Sequence, residues 1–191
     1  MADAKSSAWS GWRDKELAIP GAGKGVPIPL ELRGGFSSSF SFHPVRGGTR
    51  GRDAGPDLGS TSGRGALRVV LPARFDSVAI RRRRGHEGAG GMHRWKIRVL
   101  APDDVPLLSS EPYKGHGFDT VAFLDGSRRS VDLHYEFEDE HSYGDILFNP
   151  ESGREPQCLV RYDVQHRGTL RLPEPGYVTF ETPDRWEVRV E

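Results

Sequence analysis

Arg185-Trp186-Glu187-Val188-Arg189-Val190-Glu191 decides the fold. Side chains alternate across a strand, so Trp186, Val188 and Val190 share one face and Glu187, Arg189 and Glu191 the other. Nearly the same phrase stands earlier, as Arg94-Trp95-Lys96-Ile97-Arg98-Val99-Leu100. Each copy follows a second shared phrase. Gly65-Ala66-Leu67-Arg68 runs on to Leu71-Pro72, and Gly168-Thr169-Leu170-Arg171 to Leu172-Pro173. A short apolar stretch comes next in each, Val78-Ala79-Ile80 or Val178-Thr179-Phe180. A three-strand unit closing on a tryptophan strand therefore occurs twice. The expectation is a duplicated β module with Trp95 and Trp186 buried at equivalent positions.

Working outward, ten short strands are expected: 66–71, 77–81, 95–100, 118–124, 130–138, 145–148, 157–164, 168–172, 176–182 and 185–190. The clearest is 130–138, where Val131, Leu133, Tyr135 and Phe137 alternate with Asp132, His134, Glu136 and Glu138. Turn signals such as Gly85–Gly91, Pro102-Asp103-Asp104 and Asp125-Gly126 separate the strands. No ten-residue segment keeps a 3.6-residue period. The fold class expected is all-β: an antiparallel, jelly-roll-like β-sandwich with internal duplication, built over residues 63–191 from related units at about 63–100 and 115–191.

Residues 1–62 read differently. Gly, Ser, Pro and Arg recur, as in Arg46-Gly47-Gly48-Thr49-Arg50-Gly51-Arg52, and such composition buries little apolar surface. The segment is expected to be largely irregular and dispensable for folding of the rest. Two pieces are candidates for packing. Val26-Pro27-Ile28-Pro29-Leu30-Glu31-Leu32 alternates, with prolines that suit an edge. Phe36, Phe40 and Phe42 sit among serines.

Composition sets further bounds. One cysteine in 191 residues excludes an internal disulfide framework and a Cys-rich zinc site. No apolar run reaches signal-peptide or membrane-span length, so a cytoplasmic, soluble protein is expected. Net charge is zero, but it is unevenly placed. Residues 1–100 hold 18 Lys+Arg and 8 Asp+Glu, a net of +10; residues 101–191 hold 9 and 19, a net of −10. Such asymmetry bears on association rather than on fold.

Gly115-x-Gly117 leading to Val121, Gly168-Thr169-Leu170, the Pro175-Gly176 step and the closing Trp-x-Val-x-Val together resemble a small β-sandwich module of high-GC actinobacterial proteins. It is similar to bacterial pre-peptidase C-terminal-type domains. The resemblance covers roughly residues 63–191 and implies an accessory rather than a catalytic role. The Arg-rich, Lys-poor composition fits such a source.

Motifs that carry chemistry fail on spacing or context. Ile19-Pro20-Gly21-Ala22-Gly23-Lys24-Gly25 has Ala18 where a phosphate loop needs Gly, and Gly25 where it needs Ser or Thr. Asp132, His134 and Glu136 are suitable ligand types for a divalent cation such as calcium. Residues two apart on a strand stand about 6.5–7 Å apart, however, so a further strand or a bulge would have to close such a site. The alternative is a solvated acidic face that protects an edge. Ser130, Asp132 and His134 are triad residue types on one strand, which is not triad geometry. Cys158 alternates with Val160, Tyr162 and Val164, as a buried, inert thiol would.

Arg81, Arg82, Arg83 and Arg84 form a basic run, extended by Arg94, Lys96 and Arg98, that could face nucleic-acid phosphates on a hairpin, but alternation splits the four arginines between two faces and no aromatic platform accompanies them, so nucleic acid is not the partner expected. The reading that remains is a non-enzymatic binding or assembly module with no cofactor. It associates with a protein partner or with itself through Arg81–Arg84 as basic patch and Asp132, Glu136 and Glu138 as acidic patch. A calcium-binding sandwich and a small hydrolase with a dispersed site are the alternatives.

Overall fold

The structure, a computed structural model, describes residues 7–34, 39–47, 55, 57–62, 65–82, 94–124, 130–139, 144–161 and 166–191. The chain divides into two compact units, Met1–Ala101 and Pro102–Glu191. The first contains β1 (Ala8–Gly11), β2 (Lys15–Ala18), β3 (Ile28–Gly34), β4 (Ser39–Val45), β5 (Gly59–Ser62), β6 (Ala66–Leu71), β7 (Ser77–Arg82) and β8 (Trp95–Val99). The second contains β9 (Tyr113–His116), β10 (Asp119–Phe123), β11 (Val131–Phe137), β12 (Asp145–Pro150), β13 (Gln157–Val160), β14 (Arg167–Leu172), β15 (Gly176–Glu181) and β16 (Arg185–Val190). A short 3-10 turn, Pro102–Asp104, is the only helical element among the described residues.

The two units share one topology. The first has sheets ordered β1-β8-β3-β6 and β2-β7-β4-β5; the second has β9-β16-β11-β14 and β10-β15-β12-β13. Adding eight to each strand number of the first gives the second. Every named pairing is antiparallel. Each unit is an eight-stranded, jelly-roll-like sandwich with its own apolar cluster. The duplication is therefore one of whole sandwiches.

Residues 1–62 are not largely irregular: β1 to β5 lie within them. Leu30, Leu32, Phe40 and Phe42, none of them measurably exposed, belong to the first unit's core. Removing the segment would take five of eight strands, so the expectation of a dispensable N-terminus is overturned. The prolines misled because each falls beyond the end of a shorter neighbour. Pro29 accepts a hydrogen bond from Leu100 N–H at 2.9 Å, past the last residue of β8. Its own missing N–H would point the same way, where the ladder has already ended. Pro44 likewise accepts from Gly55 N–H at 2.9 Å, outside β5. Both prolines therefore sit in central strands, β3 and β4.

The repeated tryptophans organise the matching strands. Trp95 and Trp186 are 1% and 2% exposed, buried at equivalent positions as expected. Trp95 pairs with Gly11 of β1, and Trp186 with Gly115 of β9. A side chain on either glycine would overlap the indole beside it. Trp95 Nε1–H donates to Arg13 O at 2.9 Å, and Trp186 Nε1–H to Gly117 O at 3.0 Å. In both units the acceptor is two residues beyond that glycine. A flat ring thus lies on a strand without a side chain, and its one polar atom is satisfied.

The interiors differ by compensation. Phe42 of β4 pairs with Ile80 of β7, whereas in the second unit Ile146 of β12 pairs with Phe180 of β15. The large and small partners exchange strands, which conserves volume across the pair.

Candidate functional site

Alternation along β11, β14 and β16 turns apolar side chains inward and leaves a charged outer face. Asp132 of β11 pairs with Arg171 of β14, Nη1 to Oδ1 2.9 Å, and Arg171 Nη2 donates to Ser130 Oγ at 2.6 Å. His134 Nδ1 lies 2.9 Å from Thr169 Oγ1, and its Nε2 3.4 Å from a Glu191 carboxylate oxygen. That Nε2 makes no well-aligned hydrogen bond despite the short distance, so the contact is an electrostatic one at most. Lys114 reaches Glu187 at 3.2 Å, and Arg185 reaches Glu138 at 3.5 Å. Asp132, Glu136, Glu138, Glu187 and Glu191 thus share the face with Lys114, Arg167, Arg171, Arg185 and Arg189, five against five.

The acidic strand expected as a patch is therefore balanced by arginines from β14 and β16. Alternation had placed its carboxylates correctly on one face, but could not show what the neighbouring strands bring. The three candidate metal ligands are not brought together: Asp132 is held by Arg171 and His134 by Thr169. No group of three or more His, Cys, Asp or Glu suited to a metal ion occurs among the described residues. Ser130, Asp132 and His134 likewise make no triad contacts, since Arg171 takes the first two and Thr169 the third.

The equivalent face of the first unit has another character. Arg33 of β3, Arg68 of β6, and Arg94, Lys96 and Arg98 on or beside β8 share this face with one carboxylate, Glu31. Arg33 holds Glu31 with two bonds, 2.9 and 3.1 Å, and Arg98 Nη2 lies at 3.5 Å. Partial burial pushes the Glu31 carboxyl upward in pKa, but Arg33 and Arg98 outweigh it and hold the group below the usual carboxylate range. The Glu31 carboxylate in turn raises the Arg33 guanidinium further. At the end of this face Arg94 donates to Ser10 Oγ at 3.0 Å and stacks over the half-exposed Trp12 ring, 5.6 Å from its centroid. A shallow hollow of about 360 Å³ is lined by Arg33, Arg94, Lys96, Ser10, Trp9 and Trp95.

The expected basic run is only partly described. Arg81 and Arg82 end β7 and are exposed, while Arg83 and Arg84 lie outside the described residues. Arg82 N–H donates to Asp14 Oδ1 at 2.8 Å. The larger basic surface is the β1-β8-β3-β6 face, whose Arg94, Lys96 and Arg98 the sequence reading took only as an extension of the Arg81–Arg84 run. Its signal was available: Arg94, Lys96 and Arg98 are every second residue of the strand that repeats.

Cys158 is exposed, not buried. The pairing of β12 with β13 slips between Ile146 and Leu147, so Val160 faces Ile146 while Cys158 faces Leu147. That bulge puts two residues of equal parity on opposite faces. Partial burial of the sulfur, together with Asp145 and Glu181, raises the thiol pKa against the opposing pull of Arg161. The glycines of the Lys24 stretch, with φ of 84° at Gly21, 73° at Gly23 and 84° at Gly25, form the turn between β2 and β3.

No protein-family model matches the chain, and no curated protein does. Among solved structures it is similar to the CUB1-EGF-CUB2 region of human MASP-1/3, at 10% identity over 100% of this chain and 97% of that one, with a TM-score of 0.27. It is also similar to the PBSX exported protein XepA, at 8% identity over 97% of this chain and 82% of that one, again with a TM-score of 0.27. Similarity at this level says nothing about what the chain binds. No helix among the described residues is long and apolar enough to cross a membrane.

Proposed function

We propose that this chain is a non-enzymatic binding module that acts by protein association through the charged outer faces of its sandwiches. The observation that carries the reading is where the charge divides. The +10 and −10 portions counted from the sequence meet at residue 100, and the units meet at Ala101, itself uncharged. Each sandwich is thus a separately charged body, one basic and one acidic. Surfaces of that kind steer encounter and select partners by charge, and their contacts weaken with salt. The groups that would serve catalysis are instead engaged with one another, as Arg171 is with Ser130 and Asp132. A cytoplasmic setting fits the single cysteine.

Sedimentation of the purified chain at low and at high salt, with host lysate added in a second series, tests the reading. Association that is present at low salt and lost at high salt supports it. A strict monomer that captures nothing at either salt overturns it. Reproducible substrate turnover abolished by one substitution overturns its non-enzymatic half.

A further inference from the structure

Directly opposed side chains on a sheet are favourable when unlike in charge and unfavourable when like. On the two equivalent outer faces most opposed Lys/Arg and Asp/Glu pairs obey this rule: Asp132 with Arg171, Glu136 with Arg167, Glu187 with Lys114, and Glu31 with both Arg68 and Arg98. Two pairs break it. Arg33 stands opposite Lys96, and Glu136 stands opposite Glu187. They occupy the same place in each unit, one residue from the Trp95–Gly34 pair and one from the Trp186–Phe137 pair. One is doubly positive and the other doubly negative.

Neither like-charged pair is needed for the fold, because each unit builds the same sandwich with the opposite sign at that place. Lys96 and Glu136 are both exposed, and neither has an ion-pair partner among the described residues. Across the sheet the row in the first unit reads Ala66, Arg33, Lys96, Ser10; in the second it reads Arg167, Glu136, Glu187, Lys114. Laid face to face, the central pairs of the two rows are complementary.

We infer that the β1-β8-β3-β6 face of one copy docks on the β9-β16-β11-β14 face of a second copy, with Arg33 and Lys96 meeting Glu136 and Glu187. This rests on the association reading above and names its occupant. The contact is heterologous, each copy offering the basic face to one neighbour and the Glu136–Glu187 pair of its balanced face to another. Four strands ~4.8 Å apart and about five residues of ~3.3 Å each give a footprint of about 300 Å². A stable complex buries about 800 Å² per partner, so this contact is weak and reversible. Nucleic acid fits the basic face less well, since among the described residues Trp12 is the one exposed aromatic ring there and stacking platforms use several.

The test is sedimentation velocity of the full chain over a concentration series, at about 0.01 M and about 1 M salt, where charges are screened beyond ~30 Å and ~3 Å respectively. The low-salt sedimentation coefficient should climb with concentration above the monomer value, and the high-salt series should stay monomeric. Lys96→Glu and Glu136→Lys should each weaken self-association at least about tenfold. Mixed in equal amounts, the two variants should form a complex that neither forms alone. Each retains one native face, the basic face of Glu136→Lys meeting the acidic face of Lys96→Glu.

Circular dichroism of both variants verifies that they are folded, which exposed sites lead us to expect. A parent that is monomeric at low salt overturns the inference. So does salt-sensitive association that neither substitution changes; in that case the wider association reading stands while this contact falls. Stoichiometric binding of a single-stranded oligonucleotide to the parent, lost in Lys96→Glu, together with no self-association, would assign the basic face to nucleic acid instead.

Discussion

Replacing Trp186 with Ala removes the ring on which the second unit's sheets are fitted. Trp186 is 2% exposed, stacks on Phe180 at 4.0 Å with planes 13° apart, and lies 5.8 Å from the Tyr113 ring. Truncating a buried Trp costs about 3–5 kcal/mol. Trp95→Ala falls in the same range but lower, because Ile80 stands where Phe180 does and supplies no aromatic partner. An aromatic pair contributes about 0.5–1.5 kcal/mol beyond its buried area, so Trp186→Ala should be the costlier by about 1 kcal/mol.

The glycine beneath each ring makes a sharper test. An Ala Cβ at position 115 would overlap the Trp186 indole, so Gly115→Ala should cost about 1–3 kcal/mol by overpacking. Once Trp186 is Ala, the obstructing atoms are gone and the same substitution should cost almost nothing. Urea denaturation followed by far-ultraviolet circular dichroism, on the parent, both single variants and the double variant, gives the coupling energy. A coupling of about 1–3 kcal/mol is expected for residues in direct contact. Strictly additive costs would refute the account of ring and glycine as one packing unit, whatever the size of the single effects.

Three further outcomes follow from particular residues. A chain starting at Gly63 should retain the second unit's β signal and lose the first unit's, since β1 to β5 are removed; a circular dichroism spectrum and melt showing both sandwiches intact would contradict this. Glu31 has a carboxyl pKa below its ordinary value, so its contribution is present above the unfolded value of about 4.3 and is lost as pH falls through the folded value. Acid titration of stability should therefore be shallower in Glu31→Gln than in the parent, and an unchanged slope would count against the Arg33 and Arg98 pairing. Cys158 should react with a thiol reagent in the native state, more slowly than an unperturbed thiol because its pKa is raised; protection until unfolding would show the sulfur to be buried after all.

All ten strands expected from alternation are present, as β6 to β8 and β10 to β16. Val78-Ala79-Ile80 and Val178-Thr179-Phe180 also prove equivalent, being the residues that pair with β4 and β12 in matching register. Of the other six, β3 and β4 fall on the two pieces named as candidates for packing, while β1, β2, β5 and β9 were not foreseen; all are short or interrupted by Gly and Pro. Propensity penalises those residues wherever they stand. Their effect here depends on where a neighbouring strand ends, and that is a tertiary property. The candidate site was half legible for a related reason. Alternation assigns Asp132 to the outer face, but its partner Arg171 is 39 residues away and is placed by the β11–β14 register. The slip at Ile146 and Leu147 shows the same limit, since one bulge reverses the face that parity assigns to Cys158.

Two copies of one sandwich in a single chain provide a control that a lone domain does not. Features that both copies keep with the same chemistry belong to the fold: the indole over glycine, and the bond from Nε1 to a carbonyl two residues on. Features that change together belong to it as well, because the Phe and Ile that trade places between Phe42–Ile80 and Ile146–Phe180 preserve the volume to be filled. The row beside each tryptophan fits neither description. Its central pair changes sign between the copies yet remains like-charged in both, at the expense of cross-strand attraction that a single Lys96→Glu or Glu136→Lys exchange would restore in that pair. In the first unit folding alone favours that exchange, whereas in the second Glu136→Lys would set a lysine against Arg167 and lose the attraction there. Arg33 and Lys96 are flanked in their row by the uncharged Ala66 and Ser10, so their like charge goes uncompensated across the sheet, and the Glu136–Glu187 pair of a second copy is what the proposed contact sets against it.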